Sequence, residues 1–383
     1  MFRVIMAFGC RGKPAMNKHR MNKELLDFAA RLRESIASGF QNKNFDALAL
    51  ELFVLQFKHN SGYWKICEAR GRTPKAVEHW TQISFVPTSA FKELELTSLA
   101  ANERASVFHS SGTTEQKPSR HFHNGESLAV YEASLWPQFC KNVLGDSRFT
   151  IHDSQLLILT PPPAQAPHSS LVHMFETVRQ KLGGASIPAS RTEFLGKVAA
   201  DGSWILDFEA VFAALNSSLA TRHAPLFLGT AFSFVHLLDF LAEKNLKFQL
   251  PENSRVMETG GYKNRSRGLP KAELHSLITR FLGVPAKNII CEYGMSELSS
   301  QAYATANQKF EFPPWARAQI VSPETGHEVR EGETGLIRVF DLANVFFVAA
   351  IQTEDLGIRR GDGFELIGRA QLAEARGCSL MTA

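Results

Sequence analysis

The chain has 383 residues, with 42 Lys and Arg against 38 Asp and Glu, 44% apolar residues and five cysteines, enough for two or three structural units around a sizeable core. A net charge of +4, with no run of like charge, excludes a strongly basic nucleic-acid binder. The longest strictly apolar run, Val345 to Ile351, is too short to cross a bilayer, so no integral membrane segment is expected.

From the N-terminus, Val4 to Phe8 make a brief apolar patch without an h-region or cleavage site, so no signal peptide is expected. After Asn22, Leu25, Leu26, Ala29, Leu32 and Ile36 recur at three- and four-residue spacing and predict a helix; Phe45 to Phe57 predicts a second. Past residue 105 the pattern becomes short apolar strands alternating with amphipathic helices. Strands are expected at Gln155 to Leu159, Leu226 to Gly229, Arg255 to Glu258 and Asn288 to Tyr293. Helices are expected at Ser169 to Lys181, Phe232 to Leu241 and Lys271 to Leu282. Such alternation means a mostly parallel sheet covered on both faces. After about residue 310 only strands follow, at Arg317 to Val321, Gly335 to Phe340 and Val345 to Ile351, between Pro and Gly turns. The expected class is α/β: a core over 1–310 with a helical N-terminal part, then a small β-rich subdomain and tail over 311–383. Cysteines 10, 67, 140, 291 and 378 form no CxxC pair and no zinc-ligand spacing, and read as reduced thiols of a cytoplasmic protein.

Three clusters carry chemistry. In the first, Ser110, Ser111, Gly112, Thr113 and Thr114 gather four hydroxyls around a glycine, so backbone N–H groups and hydroxyls can wrap phosphate oxygens. Lys117 and Arg120 add positive charge nearby. The spacing is not that of a Walker loop, and a solvated Ser/Thr/Gly turn has the same composition. In the second, Tyr293, Gly294 and Glu297 follow a strand, at the C-terminal edge where open α/β sheets place ligands. An aromatic followed by Gly can flank a flat base, and Glu297 can hold Mg2+. In the third, Asp355 can accept both hydroxyls of a ribose and Arg369 can add a donor. Each cluster alone reads first as an ordinary loop or turn.

Their order, SSGTT, then YGMSE, then TEDLG and GR, resembles the adenylate-forming superfamily of acyl-CoA synthetases, adenylation domains and luciferases. Within it the sequence is most similar to the LuxE family of acyl-protein synthetases. Further segments carry the likeness: Pro167 to Met174, Gly229 to Phe234, Glu258 to Lys263, Pro313 to Trp315, Asp341 to Asn344, and Arg376 to Leu380. The resemblance runs from about residue 80 to the last residue.

The resemblance implies an ATP-dependent ligase with Mg2+ as cofactor that activates a carboxylic acid, such as a fatty acid, as an acyl-adenylate. Ser110 to Thr114 would hold the triphosphate, Gly260 and Gly261 one face of adenine, and Tyr293 with Gly294 the other. Glu297 would bind Mg2+, and Asp355 and Arg369 the ribose. The family's loop usually has Gly after the threonines, where this chain has Glu115; Lys117 or the metal must then offset a carboxylate beside phosphate. His173, five residues after His168, is placed to gate the substrate carboxylate or to serve as a buried core histidine. Phe227, Phe232, Phe234 and Leu237 suit an acyl pocket or core packing. In LuxE-like proteins the acyl group moves to a cysteine near the C-terminus, which Cys378 matches in its Arg-Gly-Cys-Ser-Leu setting. Fourteen residues follow Arg369, so the mobile lid domain of the superfamily, with its lysine, is expected to be absent. An acyl-CoA reductase-type partner and a homo-oligomer fit the same picture. The alternatives are a phenylacetate-CoA-ligase-like enzyme that loads coenzyme A, and a non-catalytic nucleotide-binding scaffold for an acyl reductase.

Overall fold

A computed structural model of the chain describes residues 22–110, 117–145, 154–183, 187–260, 269–305 and 309–370. Three helices come first: α1 (Lys23–Ala37), α2 (Phe45–His59) and α3 (Ser61–Ala69). Leu25, Phe28, Ala29, Leu32 and Ile36 form the buried stripe of α1, and the Asn22 side chain caps it by accepting from Glu24 N. The helix α3, which the apolar spacing does not announce, starts on Asn60, whose Oδ1 accepts from Tyr63 N. Two short elements, β1 (Val86–Pro87) and α4 (Ala90–Glu93), lead to a hairpin of β2 (Ser106–His109) and β3 (Arg120–His123).

The α/β region follows: α5 (Gly125–Phe139), β4 (Ser154–Ile158), α6 (Ser170–Gly183), β5 (Thr192–Phe194), β6 (Gly196–Val198), β7 (Trp204–Leu206), α7 (Phe208–Thr221), β8 (Ala224–Thr230), α8 (Ala231–Glu243), β9 (Arg255–Thr259), α9 (Lys271–Leu282), β10 (Ile289–Tyr293) and β11 (Ala302–Thr305). These include a six-stranded sheet in the order β11-β10-β9-β8-β4-β5, parallel except for the edge strand β11. Alternate residues feed two cores, as a sheet buried on both faces requires. Leu157, Phe227, Val256 and Ile289 meet α7, α8 and α9; Leu156, Ile158, Leu226, Met257 and Ile290 meet α5 and α6. Phe227, Phe234 and Leu237 are wholly buried in the first of these cores, while Phe232 lies against His236.

The last strands are β12 (Ala316–Val321), β13 (Thr334–Asp341), β14 (Ala350–Arg360) and β15 (Gly363–Arg369). They form an antiparallel sheet in which β15 extends the second half of β14, and β1 pairs in parallel with its first residues. The apolar faces of α1–α3 share one core with this sheet, through contacts such as Phe45 on Phe340.

One expected strand is not there. Of Val345 to Ile351 only Ala350 and Ile351 are strand; the preceding residues are a buried loop, and β14 runs on to Arg360. Instead of a ladder, its backbone is satisfied by a few isolated backbone bonds, Ser98 N to Phe346 O and Asp341 N to Ala349 O, and by side chains. The buried Gln56 amide donates to the carbonyls of Asn344, Val345 and Phe347, and its oxygen accepts from Ala349 N at 3.0 Å. A wholly apolar run signals burial, which a loop meets as well as a strand does. Among the described residues no helix is long and apolar enough to cross a membrane.

Candidate functional site

The parallel strands all end on one edge, and the motif residues gather there. The β2–β3 hairpin is closed by Ser119 N donating to Ser110 Oγ at 3.0 Å and by Ser110 N donating to Ser119 O at 3.3 Å. The loop it carries, with Ser111, Gly112, Thr113, Thr114 and Glu115, lies outside the described residues, as do Gly261 and Cys378. The neck itself is clamped. His109 N donates to His168 O ahead of α6, and Ser296 Oγ, in the segment after β10, donates to His109 O at 3.2 Å.

Glu297 meets that neck from 178 residues away: Ser119 Oγ donates to its Oε1 at 2.9 Å. His121 Nε2 lies 3.4 Å from the same oxygen and 2.9 Å from Ser119 Oγ. Both Glu297 and His121 are buried. Burial is the largest influence on Glu297 and would raise its pKa; the charge and hydrogen bond of His121, with Ser119, outweigh it and hold the carboxyl below its ordinary value. The segment that carries Glu297 is fixed from the other side by the Asp341 to Asn344 turn. Asp341 accepts from Ser299 N, Ser300 N and Ser300 Oγ, and Asn344 Nδ2 donates to Glu297 O at 2.8 Å. Burial pushes the Asp341 carboxyl up to about 6, against four donors: Ser300 Oγ, Ala343 N, Ser300 N and Ser299 N.

A second convergence joins the other two motifs. The Tyr293 hydroxyl donates to Asp355 Oδ2 at 2.9 Å, and Arg369 Nε stands 4.0 Å from Asp355 Oδ1, its partner across β14 and β15. Phe364, Phe310 and Phe312 pack edge-on around the Tyr293 ring. Burial raises the Asp355 pKa, with Tyr293 and Arg369 pulling the other way. Gly260, exposed and at φ +71, follows Thr259 at the end of β9, beside the end of β10. Gly294 lies close against Glu292: a Cβ there would stand 2.3 Å from Glu292 Oε1, so that carboxylate would have to shift. That buried Glu292 carboxyl is pushed by burial up to about 7, with Thr259 Oγ1 donating to it.

Two residues expected at the site stand apart from these convergences. The side chain of Lys117 is more than half exposed, with Nζ 3.8 Å from Glu93 Oε2. His173 packs its ring on Phe108 and Tyr131, with Nε2 3.8 Å from Glu132 Oε1, and burial lowers its pKa. Ser119, His121, Asn344 and Glu292 belong to the arrangement without having been singled out from the sequence. The alternation in Arg-His-Phe-His of β3, with both histidines inward, was the available signal for His121.

The donor chemistry of the edge suits magnesium nucleotide. Glu297 with the Ser119 and Ser110 hydroxyls offers hard oxygen atoms, and Asp355 offers a carboxylate beside an exposed guanidinium.

A family model described as acyl-protein synthetase, LuxE, matches residues 28–383. A long-chain-fatty-acid–luciferin-component ligase of Vibrio harveyi is 23% identical over 337 residues, covering 86% of this chain and 84% of that protein. The Aliivibrio fischeri protein of the same name is 25% identical over 351 residues, covering 88% and 87%. Among solved structures, 2-hydroxyisobutyryl-CoA ligase in the postadenylation state with 2-HIB-AMP superposes with a TM-score of 0.60 at 13% identity. The match covers 89% of this chain and 67% of that one, and it shows a shared adenylate-forming fold. The chain therefore belongs to the LuxE family of acyl-protein synthetases and is a ligase.

Proposed function

We propose that this ligase activates a long-chain or similarly apolar carboxylic acid with ATP and passes the acyl group to its own Cys378. The reading is carried by the contact between Ser119 and Glu297, which ties the Ser/Thr/Gly loop to the Tyr-Gly-x-Ser-Glu segment. The names of the two curated relatives support the substrate class.

In this reading Ser110 to Thr114 bind the triphosphate, Gly260, Gly261, Tyr293 and Gly294 flank the base, and Asp355 with Arg369 binds the ribose. Glu297 holds Mg2+, which when bound neutralises phosphate charge so that a second anion can approach. His121 and Ser119 keep the Glu297 carboxyl ionised and held at the neck of the hairpin. Lys117 would leave Glu93 to offset Glu115 once phosphate is present, and His173 would line the acid's approach from α6. A carboxylate oxygen bonds to the α-phosphorus, the bond to the bridging oxygen breaks, and pyrophosphate leaves. The Cys378 thiolate then bonds to the acyl carbon, AMP leaves, and the thiol proton goes to solvent.

Radiolabelled fatty acid with ATP should label the protein covalently, with the label lost on hydroxylamine treatment and absent in Cys378→Ser. Label persisting in Cys378→Ser contradicts the cysteine assignment. Thioester appearing on added coenzyme A in place of protein makes the enzyme an acyl-CoA ligase.

A further inference from the structure

Away from the hydroxyl-rich loop, on the α9 face of the large sheet, three buried side chains of unlike chemistry converge. Cys291 of β10 and Glu258 of β9 are register partners, so their side chains share a face, and His275 of α9 covers them. The surrounding residues of that face, Val256, Leu274, Ile278 and Ile289, are apolar. Burying a thiol, an imidazole and a carboxylate among them is costly unless each is well paired. The hydrogen bonds of His275 to the other two are long, with Nε2 3.5 Å from Glu258 Oε1 and 3.7 Å from Cys291 Sγ, while the Cys291 thiol also bonds to Glu258.

The same separations suit ligands of one cation. Around tetrahedral Zn2+, bond lengths of about 2.0–2.1 Å to nitrogen or oxygen and about 2.3 Å to sulfur set nitrogen–oxygen edges near 3.3 Å and nitrogen–sulfur edges near 3.5 Å. All three donor atoms lie within 4.8 Å of one another. We propose that Glu258, His275 and Cys291 form a binding site for a zinc-type divalent cation, with a fourth position left for water. The ligand set is one thiolate, one imidazole and one carboxylate, a mixture that selects zinc over the hard Mg2+ expected at Glu297.

Lys271 Nζ stands 3.6 Å from Glu258 Oε1 and is half exposed, so it occupies the carboxylate in the metal-free protein and can swing outward when the cation enters. Burial, seconded by the charge of Glu258, keeps the Cys291 thiol protonated without metal. Binding therefore breaks the S–H bond, forms the metal–sulfur bond and releases a proton to solvent. Bound metal would fasten α9 to β9 and β10 one residue before Thr259 and the Gly260 turn. It acts as a brace under the nucleotide-facing edge and takes no part in the transfer chemistry.

The test is titration of the metal-stripped full chain with Co2+. A thiolate-to-cobalt charge-transfer band in the near ultraviolet should saturate at about one equivalent, be displaced by Zn2+, and accompany a rise in melting temperature. Cys291→Ser should abolish the band, His275→Gln should weaken affinity by at least about tenfold, and Cys67→Ser and Cys140→Ser should leave the band intact. Should Cys291→Ser fail to fold, His275→Gln carries the decision, because it leaves the thiol in place. No band in the wild-type chain, a band surviving in folded Cys291→Ser, or unchanged affinity in His275→Gln overturns the site.

Discussion

His121 shows how one buried residue sets the chemistry of another. With Ser119 it pairs the Glu297 carboxylate, which burial alone would push toward neutrality. Removing it should move the acid limb of the pH–rate profile upward, because the depressed Glu297 pKa loses its main offset to burial. Acid-dependent pyrophosphate exchange by His121→Ala should fall about 10- to 100-fold, with partial rescue in His121→Asn, which restores a donor to Ser119. An unmoved pH profile would reduce His121 to a packing residue. The neighbouring His123 behaves differently. Burial, then the charges of His121 and His173, lower its pKa to about 3. A histidine depressed in the folded state contributes stability that is complete above its unfolded pKa and is lost as pH falls through the window from there to about 3. At about 1.4 kcal/mol per pKa unit this reaches a few kcal/mol at low pH. Urea midpoints of His123→Gln should therefore fall less steeply than wild type as pH drops below about 6.5; an identical slope would place the acid sensitivity elsewhere.

At the scale of elements, the segments that carry Glu297 and the buried loop behind it hold each other. Asp341 and Asn344 clamp the 297–300 segment, and Gln56 of α2 pairs the carbonyls of Asn344, Val345 and Phe347 and the amide of Ala349. Gln56→Leu keeps the volume but leaves those carbonyls and an amide unpaired, at a cost of about 2–4 kcal/mol read from the urea midpoint. A cost under about 0.5 kcal/mol would show that the loop repacks. This clamp also marks where sequence reading stops. Helices and strands with a repeating apolar pattern were legible to within a few residues, α9 at both ends and β4, β8, β9 and β10 nearly so. The Val345 to Ile351 run was misread because the polar partner that makes it a loop sits almost 300 positions away in Gln56. At the site, Glu297, Tyr293, Asp355 and Arg369 could be picked out because they stand at motif positions of the family the sequence resembles. Ser119 could not, since its significance comes from a carboxylate 178 residues later in the chain, and for His121 only the alternation of β3 gave a signal.

For the whole molecule, the arrangement is one in which the edge of a parallel sheet, a hairpin and the last β-sheet each bring part of one site. Ser119 to Glu297 joins the hairpin to the large sheet, and Tyr293 to Asp355 joins the large sheet to the last one. Neither contact means much without the other; together they line up the groups to which the proposed function gives the phosphate, base and ribose along one edge. The central claim is that this edge joins a carboxylic acid to AMP. Fatty-acid-dependent exchange of radiolabelled pyrophosphate into ATP measures that step without reference to the final acceptor. The wild-type chain should exchange only when acid and Mg2+ are both present, and Glu297→Gln should lower the rate by about two orders of magnitude or more. No exchange with fatty, aryl or amino acids, or an undiminished rate in Glu297→Gln, would contradict the account.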